Sequence, residues 1–276
     1  VEGGHMAGSV ARVARNNEEA KRFVEASYAQ GVDLVKLMIT GGVLDAKEKG
    51  VPGEMKMPED MIQAICKKAH QLGLLTSAHV ESTEGVKAAL RNGVDSIEHG
   101  AKPDQEMMEL FKEKKAFLIT TLSPALPFAL FDPSVSKVDD TQLFNGKMVF
   151  DGIVECSKAA LENHIPVGLG NDVGCPWITQ YDFYRELVYF HKYVGVTNGF
   201  AIYTATLQNA ILAGISDITG SIDAGKQADM IVVKENPLDD LNALKNIELV
   251  FTKGKMVHPK IKRDKEIEQR LDVFCK

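Results

Sequence analysis

Tryptophan is nearly missing from this chain of 276 residues, which carries one, and cysteine is scarce, with four. Cys66, Cys156, Cys175 and Cys275 form no Cys-x-x-Cys pair, and so few cysteines in so long a chain exclude a disulfide framework. A reducing, cytoplasmic setting is the expectation. An excess of positive charge is lacking too. Lys and Arg total 32 against 38 Asp and Glu, a net charge of −6, so the electrostatic footprint of a nucleic-acid or anionic-membrane binder is excluded. No apolar run approaches the roughly 20 residues that a membrane-spanning helix needs. The first ten residues, VEGGHMAGSV, hold no apolar core of a signal peptide, and the first of them is not methionine. What is present is ordinary for a globular protein: 45% hydrophobic and 25% charged residues, enough for a sizeable core.

The order of the chain is a repeated cadence. Helix formers over residues 16–30 stop at Gly31, and DLVKLMI (33–39) follows as a short apolar strand. A helix over 58–72 stops at Gly73 before the strand LLTSAHV (74–80). A helix over 82–92 stops at Gly93 before VDSIEH (94–99). A helix over 104–115 precedes AFLITT (116–121), and a helix over about 145–163 precedes IPVGLG (165–170). Short buried strands alternating with helices predict parallel βα units, an α/β fold. Two helices, 180–194 and 197–213, come next. From Thr219 the texture turns to short β-rich runs with a hairpin turn at Lys253-Gly254-Lys255, and residues 260–276 read as a charged surface helix.

Polar side chains recur at one place in this cadence. Lys36 sits inside the first apolar strand. His79 and His99 end the second and third, and Asp172 follows the last, in GLGNDVG. In a parallel barrel such strand ends share one face, where active sites lie. Two histidines and a carboxylate are a normal ligand set for zinc or a related divalent ion. A lysine joins only after losing its charge, for example as a carbamate, a chemistry that burial promotes. Singly, each residue has a plainer reading: a hydrogen-bonded histidine, an Asx turn at Asp172, a Lys36 whose head reaches water. Spacing alone leaves the shared site and the plain readings level. His70, His164, His191 and His258 read as structural, and His5 is undecided.

The segments GVDLVKLMITGG (31–42), SAHVES (77–82), GVDSIEHGA (93–101), GLGNDVG (168–174), TATLQNA (204–210) and GSIDAGKQADMIVVKENPLDD (220–240) together resemble the metal-dependent amidohydrolase superfamily, in particular its prolidase-like and imidazolonepropionase-like members. FTKGKMV (251–257) extends the resemblance. It implies a partial (β/α)8 TIM-type barrel over residues 1–215, holding strands three or four to eight. C-terminal strands of a small β-sandwich would follow over 216–258, and a charged tail helix over 259–276. It further implies that Lys36 is carboxylated and bridges two metal ions, and that His79 and His99 hold the second of them. Asp172 would touch the first and take a proton from the attacking water, and His5 would contact substrate. The implied cofactor is a divalent metal, zinc first. The implied partners are a small amide or peptide substrate and further copies of the chain, a homo-oligomer.

The sequence also departs from the family's pattern. No His-x-His, the family's ligand pair for the first metal, occurs anywhere. Five strands fall three short of a closed barrel. The expectation is therefore the C-terminal two-thirds of a polypeptide of roughly 400 residues, with a missing N-terminal segment completing barrel and sandwich. Where many prolidase-like members place an aromatic residue that grips substrate, this chain has Val80 and Glu81. Glu81 reads best as a cap on the helix beginning near Ser82, less well as a partner for a positive group. The proline-bearing loop 122–145, with Phe128, Phe131 and Phe144, is either an apolar lid or a packing or subunit-contact loop. Three functions stand at this point. An amide-cleaving metal hydrolase leads, followed by a catalytically silent fragment or interaction module. A doubly wound small-molecule binder ranks last, because Thr40-Gly41-Gly42 opens a long loop and not a helix.

Overall fold

The computed structural model describes residues 1–276 as two compact units, Val1–Thr120 with Ala125–Pro166, and Thr121–Pro124 with Val167–Lys276. The first unit carries the predicted cadence. Helix α1 (Asn17–Ala29) starts where the Asn16 side chain accepts from the Glu19 amide, and buries Ala20 and Val24. Strand β1 (Leu34–Met38) then pairs in parallel with β2 (Leu75–Val80), β2 with β3 (Ser96–His99), and β3 with β4 (Phe117–Thr120). Helices α2 (Glu59–Gln71), α3 (Thr83–Arg91) and α4 (Gln105–Lys114) are the crossovers that parallel pairing requires. Ala78, Val80, Ile97 and Leu118 of the strands are fully buried, as are Ile62, Val86, Leu90 and Phe111 of the helices. Continuous apolar strands rather than alternating ones follow from that placement.

Residues 122–145 are not a loop. They form α5 (Leu122–Leu130) and α6 (Pro133–Ser136), and α7 (Asp140–Glu162) begins earlier than the periodicity suggested. Pro127 lies inside α5, where a proline ordinarily breaks a helix; the apolar content of LSPALPFAL outweighs that cost. Phe128 and Phe131 are buried, so these two rings pack rather than cover a site, while Phe144 is exposed. The start of α7 is set by a capping box, Asp139 with Gln142.

In the second unit, β5 (Val167–Leu169) is only three residues long and is held by a side chain: the amide of Asn209 accepts from the Leu169 N–H at 3.0 Å and donates to its carbonyl at 2.8 Å. The expected helices appear as α8 (Tyr184–Tyr189), α9 (Asn198–Tyr203) and α10 (Asn209–Leu212), with wider π-helical turns at Phe190–Val194 and Thr204–Gln208. Thr204 and Thr206 bond back to the carbonyls of Phe200 and Ile202, a pattern that loosens the regular ladder. Strands β6 (Met230–Val233), β7 (Ile247–Thr252) and β8 (Lys255–Val257) make an antiparallel sheet. Its hairpin turns through left-handed Lys253 and Gly254, as a two-residue loop demands. The tail helix α11 (Lys265–Asp272) buries Leu271, and Cys275 just beyond it is buried as well, so the segment is not merely a solvated face. No helix is long and apolar enough to cross a membrane.

Glu186 on α8 is fully buried and accepts from the Leu122 N–H at 2.6 Å, the Ser123 N–H at 2.7 Å and the Ser123 hydroxyl at 2.5 Å. Burial outweighs these three donors and pushes its carboxyl up to about 7. An acid raised in the folded state contributes stability below its unfolded value, and that contribution is lost as pH rises through about 7. Urea unfolding at pH 5 and pH 8 should therefore show a loss on the order of 2–3 kcal/mol from this group. Glu186→Gln should flatten that difference; an unchanged slope would refute the assignment.

Candidate metal centre

The site grows from the ends of β2 and β3. In the parallel register His79 faces Glu98, and Val80 faces His99. A regular pleat would send His99 to the side of Val80, away from His79. His99 instead adopts a left-handed backbone, φ 71°, and Gly100 follows with φ 86°. The pleat is broken there, and the His99 ring lies edge-on to His79 with centroids 4.7 Å apart. Left-handed geometry in a non-glycine residue costs on the order of 1–3 kcal/mol and concentrates at functional sites.

Both imidazoles are buried. Burial first, then the neighbouring charges of His99 and His5, holds His79 well below the ordinary histidine range. Burial, with Lys36 and His5, pushes His99 down to about 3. Both rings are thus neutral and keep a lone pair to donate. The Nε2 of His79 lies 3.2 Å from the Gly41 carbonyl, so a proton there leaves Nδ1 as the donor atom.

Glu81 joins them. Two residues past His79, it places a carboxylate oxygen so that donor atoms of His79, Glu81 and His99 all lie within 4.8 Å of one another. Its carboxylate accepts from the Val43 N–H at 3.1 Å, and its own N–H donates to Thr40 Oγ1 at 3.0 Å. The cap of α3 is Ser82, which accepts from the Gly85 amide, so the capping role expected of Glu81 is overturned. His5 stacks on His79 with centroids 4.1 Å apart and planes at 5°. Its Nδ1 bonds Asp45, whose carboxylate also accepts from the Gly42 N–H at 3.0 Å.

Lys36 differs from the sequence expectation in one respect. It lies on β1 opposite Ser77, close enough to bias both histidines, yet it is exposed, so the burial that would favour its uncharged form is not supplied by this chain. With His5 and Met38 it lines a cavity of about 320 Å³. Asp172 belongs to the second unit, in the loop after β5. Its backbone is left-handed, φ 49°, and its carboxylate lies 3.1 Å from the Cys175 thiol. His70 and His191 bond Asp95 and the Val196 carbonyl, in keeping with structural roles.

Two members of the cluster were missed by sequence reasoning. Glu81 had a signal, His-x-Glu across a strand end, where i and i+2 share a face. Asp45 had none, since a long loop delivers it. Two buried, neutral imidazoles and a half-buried carboxylate, converging at one strand end, fit a divalent cation such as zinc.

Comparison with known proteins identifies the family of the chain. The model of the Amidohydrolase family matches residues 3–257. A solved structure of a candidate prolidase from Bifidobacterium longum is 38% identical, superimposes with a TM-score of 0.90, and is matched over 98% of this chain and 67% of that one. A Xaa-Pro dipeptidase with methionine bound in its active site is 28% identical with a TM-score of 0.81, over 93% of this chain and 65% of that one. Ochratoxinase of Aspergillus niger is 27% identical over 249 residues, 88% of this chain. The chain spans about half the length of the curated relatives it matches, 50% for ochratoxinase.

The wall behind Glu81 gives a test. A Cβ on Gly53 would lie 2.4 Å from the Glu81 carbonyl carbon and oxygen and 2.7 Å from the Ser82 nitrogen, all backbone. Gly53→Ala should displace Glu81 and weaken zinc affinity about 10–100-fold, as loss of a supporting contact does elsewhere. Competition against a chelator measures this, with circular dichroism unchanged. Equal affinity would remove Glu81 from the donor set.

Proposed function

Because the chain belongs to the amidohydrolase family, we propose that it is a metal-dependent hydrolase of the dipeptidase-like kind. Its substrate would be a small peptide, an N-acyl amino acid or a cyclic amide. The observation that carries the reading is the convergence of neutral His79 and His99 with Glu81 at the ends of adjacent parallel strands. The relatives named as a candidate prolidase, a Xaa-Pro dipeptidase and an ochratoxinase support the substrate class.

His79, Glu81 and His99 would hold the cation, zinc in the first instance, with Lys36 as a carbamate the further donor in this reading. A divalent ion held there supplies Lewis-acid polarisation of a carbonyl and acidification of water. The chain's own groups do the rest. The Gly41 carbonyl fixes the tautomer of His79, and the Val43 N–H fixes the Glu81 carboxylate. His5, oriented by Asp45, offers Nε2 to a polar group of the substrate. Asp172 is assigned the proton transfer on the motif GLGNDVG, accepting a proton and returning it to the leaving amine. The fold that accompanies this reading is part of a (β/α)8 barrel over 1–215, with β6–β8 as C-terminal strands of a small β-sandwich.

Metal analysis with an Ala-Pro dipeptide assay tests the proposal. Chelation and His99→Ala should each abolish turnover, and Asp172→Asn should lower kcat by about 10²–10⁴-fold. Full activity after chelation would sink the metal-dependent reading, and the absence of both turnover and bound metal would favour a silent interaction module.

A further inference from the structure

The loop from β5 to α8, residues 170–183, holds short turns, the Cys175 N–H donating to the Asp172 carbonyl at 3.2 Å and the Ile178 N–H to the Cys175 carbonyl at 3.1 Å, and no helix or strand. It carries two left-handed residues besides glycine, Asp172 at φ 49° and Trp177 at φ 73°. Such conformations persist only where the surroundings over-determine them. The surroundings are the end of the chain. Arg270 of α11 lies over the Trp177 ring, 5.9 Å from its centroid, and Arg263 lies over Tyr181 at 5.1 Å. The Tyr181 hydroxyl accepts from the Asp264 N–H at 2.6 Å. Trp177, Ile178 and Thr179 of the loop meet buried Leu271 of α11 around a space of only about 10 Å³.

Beneath these contacts α11 is fastened to α8. Arg185 is almost fully buried. It donates to Asp182 at 3.1 Å, to Asp272 at 2.7 Å and to the Cys275 sulfur at 3.2 Å. Lys245 adds a second cation to Asp272 at 2.7 Å. Lys192 donates to the carbonyls of Phe274 and Lys276 at 3.0 and 2.9 Å. A buried guanidinium with several partners is costly to break, so the anchor is firm.

We infer that α11 is a clamp that orders the loop bearing Asp172, and that Arg263 and Arg270 are positioning residues for the proton transfer. The inference rests on the function proposed above, which gives Asp172 that step. A loosened loop would let Asp172 wander without changing how substrate is held, and a misplacement near 1 Å can cost about 10²-fold in rate.

The chain's single tryptophan makes the loop visible without an assay, because it is Trp177 itself. The experiment is Arg263→Ala/Arg270→Ala in the whole protein, with Lys192→Ala as a control that removes an exposed contact to the last residues beyond α11, leaves the Arg185–Asp272 anchor in place and touches no loop residue. Acrylamide quenching of Trp177 should rise several-fold in the double variant. Its kcat on Ala-Pro should fall about 10–100-fold, with KM and bound zinc unchanged. Lys192→Ala should leave kcat and KM as they are. Unchanged quenching overturns the clamp, and so does a loosened Trp177 with kcat intact. A fully active Asp172→Asn instead overturns the functional reading, while the quenching result still decides whether α11 holds the loop.

Discussion

Everything at the candidate centre depends on one broken pleat. Parallel register aligns β2 with β3 so that the two histidines stand one register position apart and belong to opposite faces. The left-handed turn at His99, continued by Gly100, brings the ring round to His79. Once the rings are buried there, their neutrality follows from burial first and from the neighbouring positive charges second. Glu81 then completes a donor set from the same strand end, its carboxylate accepting from the Val43 amide while its own N–H donates to the Thr40 hydroxyl.

How legible this was depends on range. The βα cadence was readable because helix stops are glycines and the strands are short apolar runs, both local signals. The family was readable for the same reason: its motifs lie at strand ends, and the match over residues 3–257 bears it out. Contributions that cross long stretches of chain were not. Asp45 reaches His5 across 40 positions, and the Glu81 carboxylate is claimed by the Val43 amide, 38 positions away, leaving the cap of α3 to Ser82. Lys36 was judged by its apolar neighbours in sequence, whereas exposure depends on what lies over β1. Residues 122–145 were misjudged because prolines and a polar stretch outweighed a capping box and a run of apolar residues that the fold buries.

The second unit shows side chains standing in for regular structure. Asn209 pairs with both polar groups of Leu169, supplying what a neighbouring backbone would. Glu186 collects the amides of Leu122 and Ser123, as a carboxylate does at the start of a helix. Each is a single residue on which a short element depends, which is why the π-helical turns beside them are tolerated: position is fixed by specific bonds and not by the length of the element.

The cysteines carry a practical corollary. Cys66, Cys156 and Cys275 are buried, and burial pushes the first two thiols up to about 11 and about 12, which makes them poor nucleophiles. Cys175 is the partly exposed one, and its sulfur lies against the Asp172 carboxylate. A thiol-directed reagent therefore has a preferred address on this chain, and a dye or spin label attached there sits beside the residue assigned the proton transfer, with no residue needing replacement first.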